Sequence, residues 1–282
     1  MRPFALLLIA SALARAGDGV EMKVEDKAGD TLVVTEEERT EGKIRYEAVK
    51  GKSKADFGKR KQDFLSLKKW QFDQDCEKSE GEMSTRKRDF AIATKEELEE
   101  DGKGKKKTQF PHHQRKVTVA KTKEGQAVYI DGEQPEEGIG EQGWMDVLPL
   151  LLPKDALAQG KEYEIDAAKV MTAWSHGAFD AKKASGSGKG KWADTEKVGK
   201  LKCAKLWVNF TMRGEGKDLP TVETNQQGYV WFALDEKKIV KADFGGAFMM
   251  KIRLKDTPDV GDVDLTVTGT MRENFVAEVF GK

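Results

Sequence analysis

The chain predicts a mainly β protein: long antiparallel strands forming one or more curved sheets, a partly closed half-barrel or a sandwich, with one or two short covering helices. Three observations predict it. Short runs that alternate apolar and polar residues recur along almost the whole sequence. Turn chemistry such as "KAGD" and "RTEG" separates several of them. Helical spacing is confined to two brief segments.

In the N-terminal half, "VEMKVED", "TLVVTEE" and "GKIRYEAV" read as strands of an antiparallel meander, with turns at "KAGD" and "RTEG". "DFLSLKKWQFD" and "KRDFAIA" add two more. "TKEELEEDG" reads as one or two helical turns, because Thr94 is placed to cap it and Glu97 follows at capping-box spacing. "RKVTVAKT" and "EGQAVYIDG" predict a hairpin around Lys123-Glu124-Gly125. A Gly- and Glu-rich link, "DGEQPEEGIGEQG", then divides a β-rich half over 17–143 from a second half over 144–282.

The second half begins with "VLPLLLP". Pro149 and Pro153 remove backbone donors and disfavour helix at the preceding residue, so the run is neither a regular helix interior nor a central strand. It reads as a helical turn or apolar crossing that sets Leu148, Leu150, Leu151 and Leu152 under the sheet. Gly160 then turns the chain into a strand at Tyr163 and Ile165. Ala167, Val170, Met171 and Trp174 share one helical face over 166–174, with Asp166 as N-cap. Lys182 to Lys191 reads as a flexible Gly/Ser/Lys loop.

Beyond it the pattern is strongly β. In "KLKCAKLWVNFTM" the apolar positions change from odd (Leu201, Cys203) to even (Leu206, Val208, Phe210, Met212), which predicts a β-bulge near Ala204 and Lys205. "GYVWFALD", "KIVKADF", "FMMKIRL", "VDLTVTG" and "NFVAEVF" follow as strands. Phe248, Met250, Ile252 and Leu254 fall on one face of theirs, the mark of a sheet buried on one side.

Composition narrows the function. "MRPFALLLIASALARA" has a positive start at Arg2, an apolar segment from Phe4 to Leu13 and the small-x-small step Ala14-Arg15-Ala16, so residues 1–16 read as a secretory signal cleaved after Ala16. The segment falls short of the ~20 residues that cross a bilayer. The expected product is periplasmic or extracellular, without a transmembrane segment. The 49 basic and 49 acidic residues balance, and cleavage removes Arg2 and Arg15, leaving a slight acidic excess. That balance argues against a nucleic-acid partner, and the basic clusters read as solvated loops.

Motifs for chemistry are weak. His112, His113 and His176 lack metal-site spacing, "PHHQ" reads as a loop, and no metal or cofactor is expected. Gly190-Lys191 leads into Trp192 where a phosphate loop needs Ser or Thr. There is no G-x-S-x-G elbow, so no catalytic residue is assigned. Cys76 and Cys203 are the two cysteines. A bridge between them would tie the halves and contribute about 4–5 kcal/mol in the chain-entropy model, whereas Cys203 on an apolar strand face equally suits a buried thiol. Trp207 and Trp231 lie opposite the apolar neighbours of their strands, which suits either an outer-face patch or packing under a helix.

Leu151-Leu152-Pro153, Gly160, an aromatic residue three positions later, an acid and a short helix together resemble a pattern in uncharacterised secreted, β-rich bacterial proteins. In these a Leu-Leu-Pro step leads to a Gly-x-x-Trp turn; here Tyr163 stands in place of tryptophan. The likeness spans about Trp144 to Phe244 and implies a fold and an exported location but no reaction. More distantly, the arrangement is similar to half-barrels that carry lipids or lipoproteins through the bacterial envelope. The expected function is therefore an exported, non-enzymatic protein whose curved sheet binds a lipid or other apolar ligand, or an envelope protein. Leu148, Leu151, Leu152 and Tyr163 are the candidate groove. A secreted hydrolase with a non-motif site and a structural envelope module are the alternatives.

Overall fold

A computed structural model of the chain describes residues 19–53, 59–80, 83–99, 104–121, 126–134, 145–175, 182–215, 220–257 and 261–280. The leader, the hairpin tip at 123–125, Trp144, His176 and most of the link over 131–143 lie outside them.

Twelve strands form one antiparallel sheet: β1 (Thr31–Ser53), β2 (Lys59–Glu80), β3 (Met83–Leu98), β4 (Lys105–Gln109), β5 (Lys116–Lys121), β6 (Gln126–Ile130), β7 (Glu162–Ile165), β8 (Ser185–Val198), β9 (Leu201–Gly214), β10 (Thr221–Ala233), β11 (Lys238–Thr257) and β12 (Gly261–Phe280). Their order is β6-β5-β3-β2-β1-β12-β11-β10-β9-β8-β7, with β4 beside β3. The sheet is curved and not closed, the half-barrel alternative of the sequence reading. Strands of both halves share it through the long β1–β12 ladder, in register from Thr31↔Phe280 to Ala48↔Val263.

Several strands are longer than their sequence runs. "RTEG" is no turn: β1 passes straight through it, because Glu38, Thr40 and Gly42 keep the alternation on the inner face while Arg39 and Glu41 point outward and pair with each other. "KIVKADF" with "FMMKIRL", and "VDLTVTG" with "NFVAEVF", are likewise single strands, β11 and β12, rather than separate ones. "VEMKVED" is an extended segment rather than a strand, held at Val20 by a bridge to Leu157. The described part of "TKEELEEDG", 94–99, is not helical either: residues to Leu98 extend β3, and its ladder with β4 outweighs a local capping box.

The Gly/Ser/Lys segment read as a flexible loop contributes Ser185 to Lys191 to β8. Its glycines serve close approach. A Cβ on Gly188 would crowd Phe210 and Ile165, and one on Gly190 would enter the Tyr163 ring. Bare backbone there leaves room for the Ile165 and Tyr163 side chains of β7, the paired neighbouring strand.

No bulge lies in β9 at Ala204 and Lys205. The register shift falls opposite, between Trp192 and Asp194 of β8. The change of parity in β9 has a different cause: Leu206, Val208, Phe210 and Met212 face the main core, whereas Cys203 joins Trp231, Ala233 and Val240 in a small cluster on the other face. At this end the sheet is buried on both sides.

The cover is one 3-10 turn, Leu148–Leu151, and helix α1, Ala167–Trp174, where Asp166 Oδ1 accepts from the Lys169 amide at 3.2 Å and Ala167, Val170 and Met171 are buried. Both helical features match the sequence reading. An aromatic stack fills the core under β2 and β3: Trp70 on Phe110, Phe110 on His112, His112 edge-on to Phe90, and Phe90 on Phe72.

Charges tie the cover to the sheet. Asp146, next to the 3-10 turn, receives Arg88 Nη2 at 2.8 Å and Arg86 Nη1 at 2.7 Å; Arg86 also reaches Asp26 at 2.6 Å. Lys238, at the start of β11, contacts Asp26 at 3.3 Å and Asp30 at 2.8 Å and donates to the Glu25 carbonyl. Burial works to raise the Asp146 pKa, but Arg88 and Arg86 overcome it and hold the carboxyl below the usual range. Arg88 is fully buried, and Gln74 accepts from its Nε at 2.9 Å. Removing the Asp146 charge strands that guanidinium. Asp146→Asn should lower unfolding free energy by about 3–5 kcal/mol in urea titration. Breaking the half-exposed Arg253–Asp264 pair with Arg253→Ala should leave the urea midpoint nearly unchanged.

Candidate functional site

The sheet's alternation gives it an inner face that changes character along the strands. At the covered end lies the cluster expected to form a groove. Leu148, Leu151 and Leu152 are buried, together with Val147 and Leu157. The Tyr163 hydroxyl donates to the Leu151 carbonyl at 2.6 Å, which joins the 3-10 turn to β7; burial pushes the phenol pKa up. Leu150 is the exception, turned outward at 36% exposure, because a 3-10 turn buries only one side. The structure therefore brings the four expected residues together, packed against one another. The cavity beside Leu148, lined by Val24, Leu32, Met145 and Phe275 with Asp26, Arg86 and Lys238, has about 30 Å³, room for a water rather than a hydrocarbon chain.

Mid-sheet, the inner face carries charge. Glu38 pairs in register with Glu273 of β12 and Lys68 of β2, and Lys68 Nζ sits 2.7 Å from the Glu38 carboxylate. Glu36 and Glu273 are fully buried. Burial, reinforced by the negative charges of Glu36 and Glu38, raises the Glu273 pKa well above the carboxylate range. Its proton is retained where an exposed glutamate has lost its own.

Past this belt, among the described residues, the sheet narrows to an arm of four strands, β2-β1-β12-β11. β3 pairs with β2 only from Ser66 onward, and β10 reaches β11 only as far as Lys251. The arm curls sharply at Gly42 and Gly269, which pair directly. A Cβ on Gly42 would run into the Thr268 carbonyl, and one on Gly269 into that of Glu41. Phe64 and Phe248 flank the glycine pair in the same row, three strand spacings or about 14 Å apart in a flat sheet. Their ring centroids are 6.1 Å apart. The bare glycines let the two rings meet over the bend.

Beyond that contact the inner face stays largely apolar and its burial is uneven: Val263 and Val267 are buried, Met250 packs against the main core, and Tyr46 donates to Gln62 at 3.4 Å. Ile44, Met250, Ile252 and Leu265 are half-buried and Leu254 is 39% exposed. The opposite face carries Lys43, Arg45, Lys251 and the Arg253–Asp264 pair. A membrane-spanning barrel turns its apolar side chains outward; this arm turns them inward. The alternation of Phe248, Met250, Ile252 and Leu254 was legible in sequence. That burial thins along this row from Phe248 to Leu254 was not, since it depends on where β3 and β10 stop.

The groups considered for chemistry are placed as follows. His113 Nδ1 accepts from the Ala93 amide at 3.0 Å in a turn, as "PHHQ" suggested, and His112 is buried in the aromatic stack with neither ring nitrogen hydrogen-bonded among the described residues. Burial, then the positive charge of Arg88, lowers the His112 pKa to about 4. Among the described residues no group of His, Cys, Asp and Glu is arranged to hold a metal. Cys76 and Cys203 are both free and buried, so the bridge that would tie the halves is not formed; they lie on β2 and β9, and burial raises the Cys203 pKa to about 11. The buried Glu36–Glu38–Glu273 group was missed, because "TEEE" reads as a solvated run until register shows alternate members facing in.

Fold and site thus define an open antiparallel half-barrel, covered at one end by the 3-10 turn and helix α1. Among solved structures the chain is similar to lipovitellin, titled for its lipid–protein interactions, at TM-score 0.40 and 8% identity over 91% of this chain, and it spans only 26% of that protein. It also matches the outer membrane protein OprG of Pseudomonas aeruginosa at TM-score 0.19 and 7% identity, covering 91% of this chain and 98% of that one. No family model and no curated protein matches the chain.

Two titrations of opposite sign follow from the buried groups. His112 is depressed in the fold, so its contribution is full above the unfolded value near 6.5 and lost as pH falls toward 4, on the order of 3 kcal/mol in all. Chemical denaturation between pH 7 and 4 should show that loss, and His112→Phe should reduce it. Glu273 is raised, so its contribution is full below the unfolded carboxylate value and lost as pH rises through the folded one. Glu273→Gln, which imitates the protonated acid, should flatten the alkaline limb of the same profile.

Proposed function

We propose that the protein is exported and works by binding, holding the acyl chain of a lipid against the inner face of its arm. One observation carries the reading: past a bend that makes it concave, the inner face of the arm from Phe248 to Leu254, with Ile44 and Leu265, is apolar, and its burial falls from Phe248 and Met250, which pack against the core, through half-buried Ile252 to Leu254 at 39% exposure. Six residues of strand span about 20 Å, comparable with an extended fatty acyl chain. Each methylene removed from water there contributes about 0.8 kcal/mol, so some ten of them reach micromolar affinity. The plug around Leu148, Leu151, Leu152 and Tyr163 supports this by serving as the rigid end from which the arm projects. Export rests on the leader pattern of residues 1–16.

Native mass spectrometry of the mature chain, recovered gently from its compartment, tests the proposal. A lipid-sized adduct lost on denaturation is expected, on a polypeptide that begins at Gly17. Ile252→Lys and Leu254→Lys, at half-buried and exposed positions, should reduce the adduct at least tenfold with little change in Tm, whereas Leu150→Lys on the plug should leave it intact. A bare wild-type chain, a protein partner in place of the lipid, or an adduct indifferent to the arm substitutions would overturn it.

A further inference from the structure

The outer face of the sheet carries a second, separate feature. Where β12, β11, β10 and β9 cross its centre, a dish of about 770 Å³ opens, within the range of small-ligand sites. Its depth comes from Gly228, Gly245 and Gly246. Gly245 lies between Arg272 and Gln227 in the register and has no side chain to fill the floor.

Two kinds of wall surround that floor. On one side stand Trp207 and Tyr229, paired across β9 and β10. Their neighbour Trp231 is engaged: its indole donates to Glu196, and Lys205 and Lys241 lie over its ring at 5.3 and 4.5 Å. Tyr229 is held beside it at 5.9 Å between ring centroids, with Lys205 above it at 4.8 Å, yet stays 38% exposed. On the other side Arg272 meets Asp243 at 3.2 Å and Arg39 meets Glu41 at 2.8 Å, all four well exposed.

We propose that this dish is a binding site for a neutral oligosaccharide. The aromatic wall offers a flat π-surface on which the C–H face of a sugar ring stacks. The polar wall is electrically balanced, each guanidinium already facing a carboxylate, so it presents donors and acceptors together. Hydroxyl groups both donate and accept and match such pairs. A phosphate or sulfate only accepts, and it would meet Asp243 and Glu41 as like charges. The site is independent of the inner face, since successive residues of each strand point to opposite sides.

An array of neutral oligosaccharides of α- and β-linked hexoses and N-acetylhexosamines, probed with the mature chain, tests this, with tryptophan fluorescence titration of the best ligand. Saturable binding that shifts tryptophan emission is expected. Tyr229→Ala and Asp243→Ala should weaken it at least tenfold without lowering Tm, while Tyr229→Phe, which keeps the ring, stays within about threefold of wild type. Leu254→Lys, on the inner face, should not affect it. No binding on the array, equal binding by the Tyr229→Ala and Asp243→Ala variants, or selection of sulfated or phosphorylated glycans alone would overturn the assignment.

Discussion

The ion network around Asp146 is the constraint on which the rest depends. It gathers the N-terminal segment through Asp26 and Asp30, β3 through Arg86 and Arg88, the chain before the 3-10 turn through Asp146, and the start of β11 through Lys238. These groups belong to parts of the sheet separated by β2, β1 and β12. An open sheet of this length would otherwise flatten or splay, because nothing closes its edges. Buried charges fix geometry well, since each displaced partner leaves an uncompensated charge behind. The network performs across the mouth what a disulfide between Cys76 and Cys203 would have done along the chain.

With one end held, a gradient is laid out along the inner face. Packed leucines and aromatics give way to a belt of carboxylates around Lys68, and the belt gives way to a largely apolar, half-buried face on the arm. In the belt, the raised pKa of Glu273 and the Lys68–Glu38 pair limit the negative charge that three buried glutamates would otherwise concentrate there. The outer face has a separate economy of charge, in which arginines and carboxylates neutralise one another in the open.

Much of this was legible in the residues. Strand character, the prolines that forbid a regular helix at "VLPLLLP", the Asp166 cap and the face shared by Phe248, Met250, Ile252 and Leu254 all follow from local chemistry. What escaped is set by partners distant in sequence. Glycines at 42, 245, 246 and 269 look like breaks until their neighbours' backbones are seen to press against them. Those of β8 look like a linker until Tyr163 and Ile165 are found in the vacant space. Likewise, odd and even apolar positions in β9 look like a bulge until both sides of the sheet prove to be covered.

The β1–β12 ladder has a consequence in time. It joins the first strand to the last, so the seam between the two halves of the sheet cannot form until nearly the whole sequence is available. Contacts of such long separation are slow to close. A chain built this way emerges from synthesis with its central pairing unmade, two partial sheets with raw edges at 31–53 and 238–257, and completes itself only when β12 slides between them as the keystone.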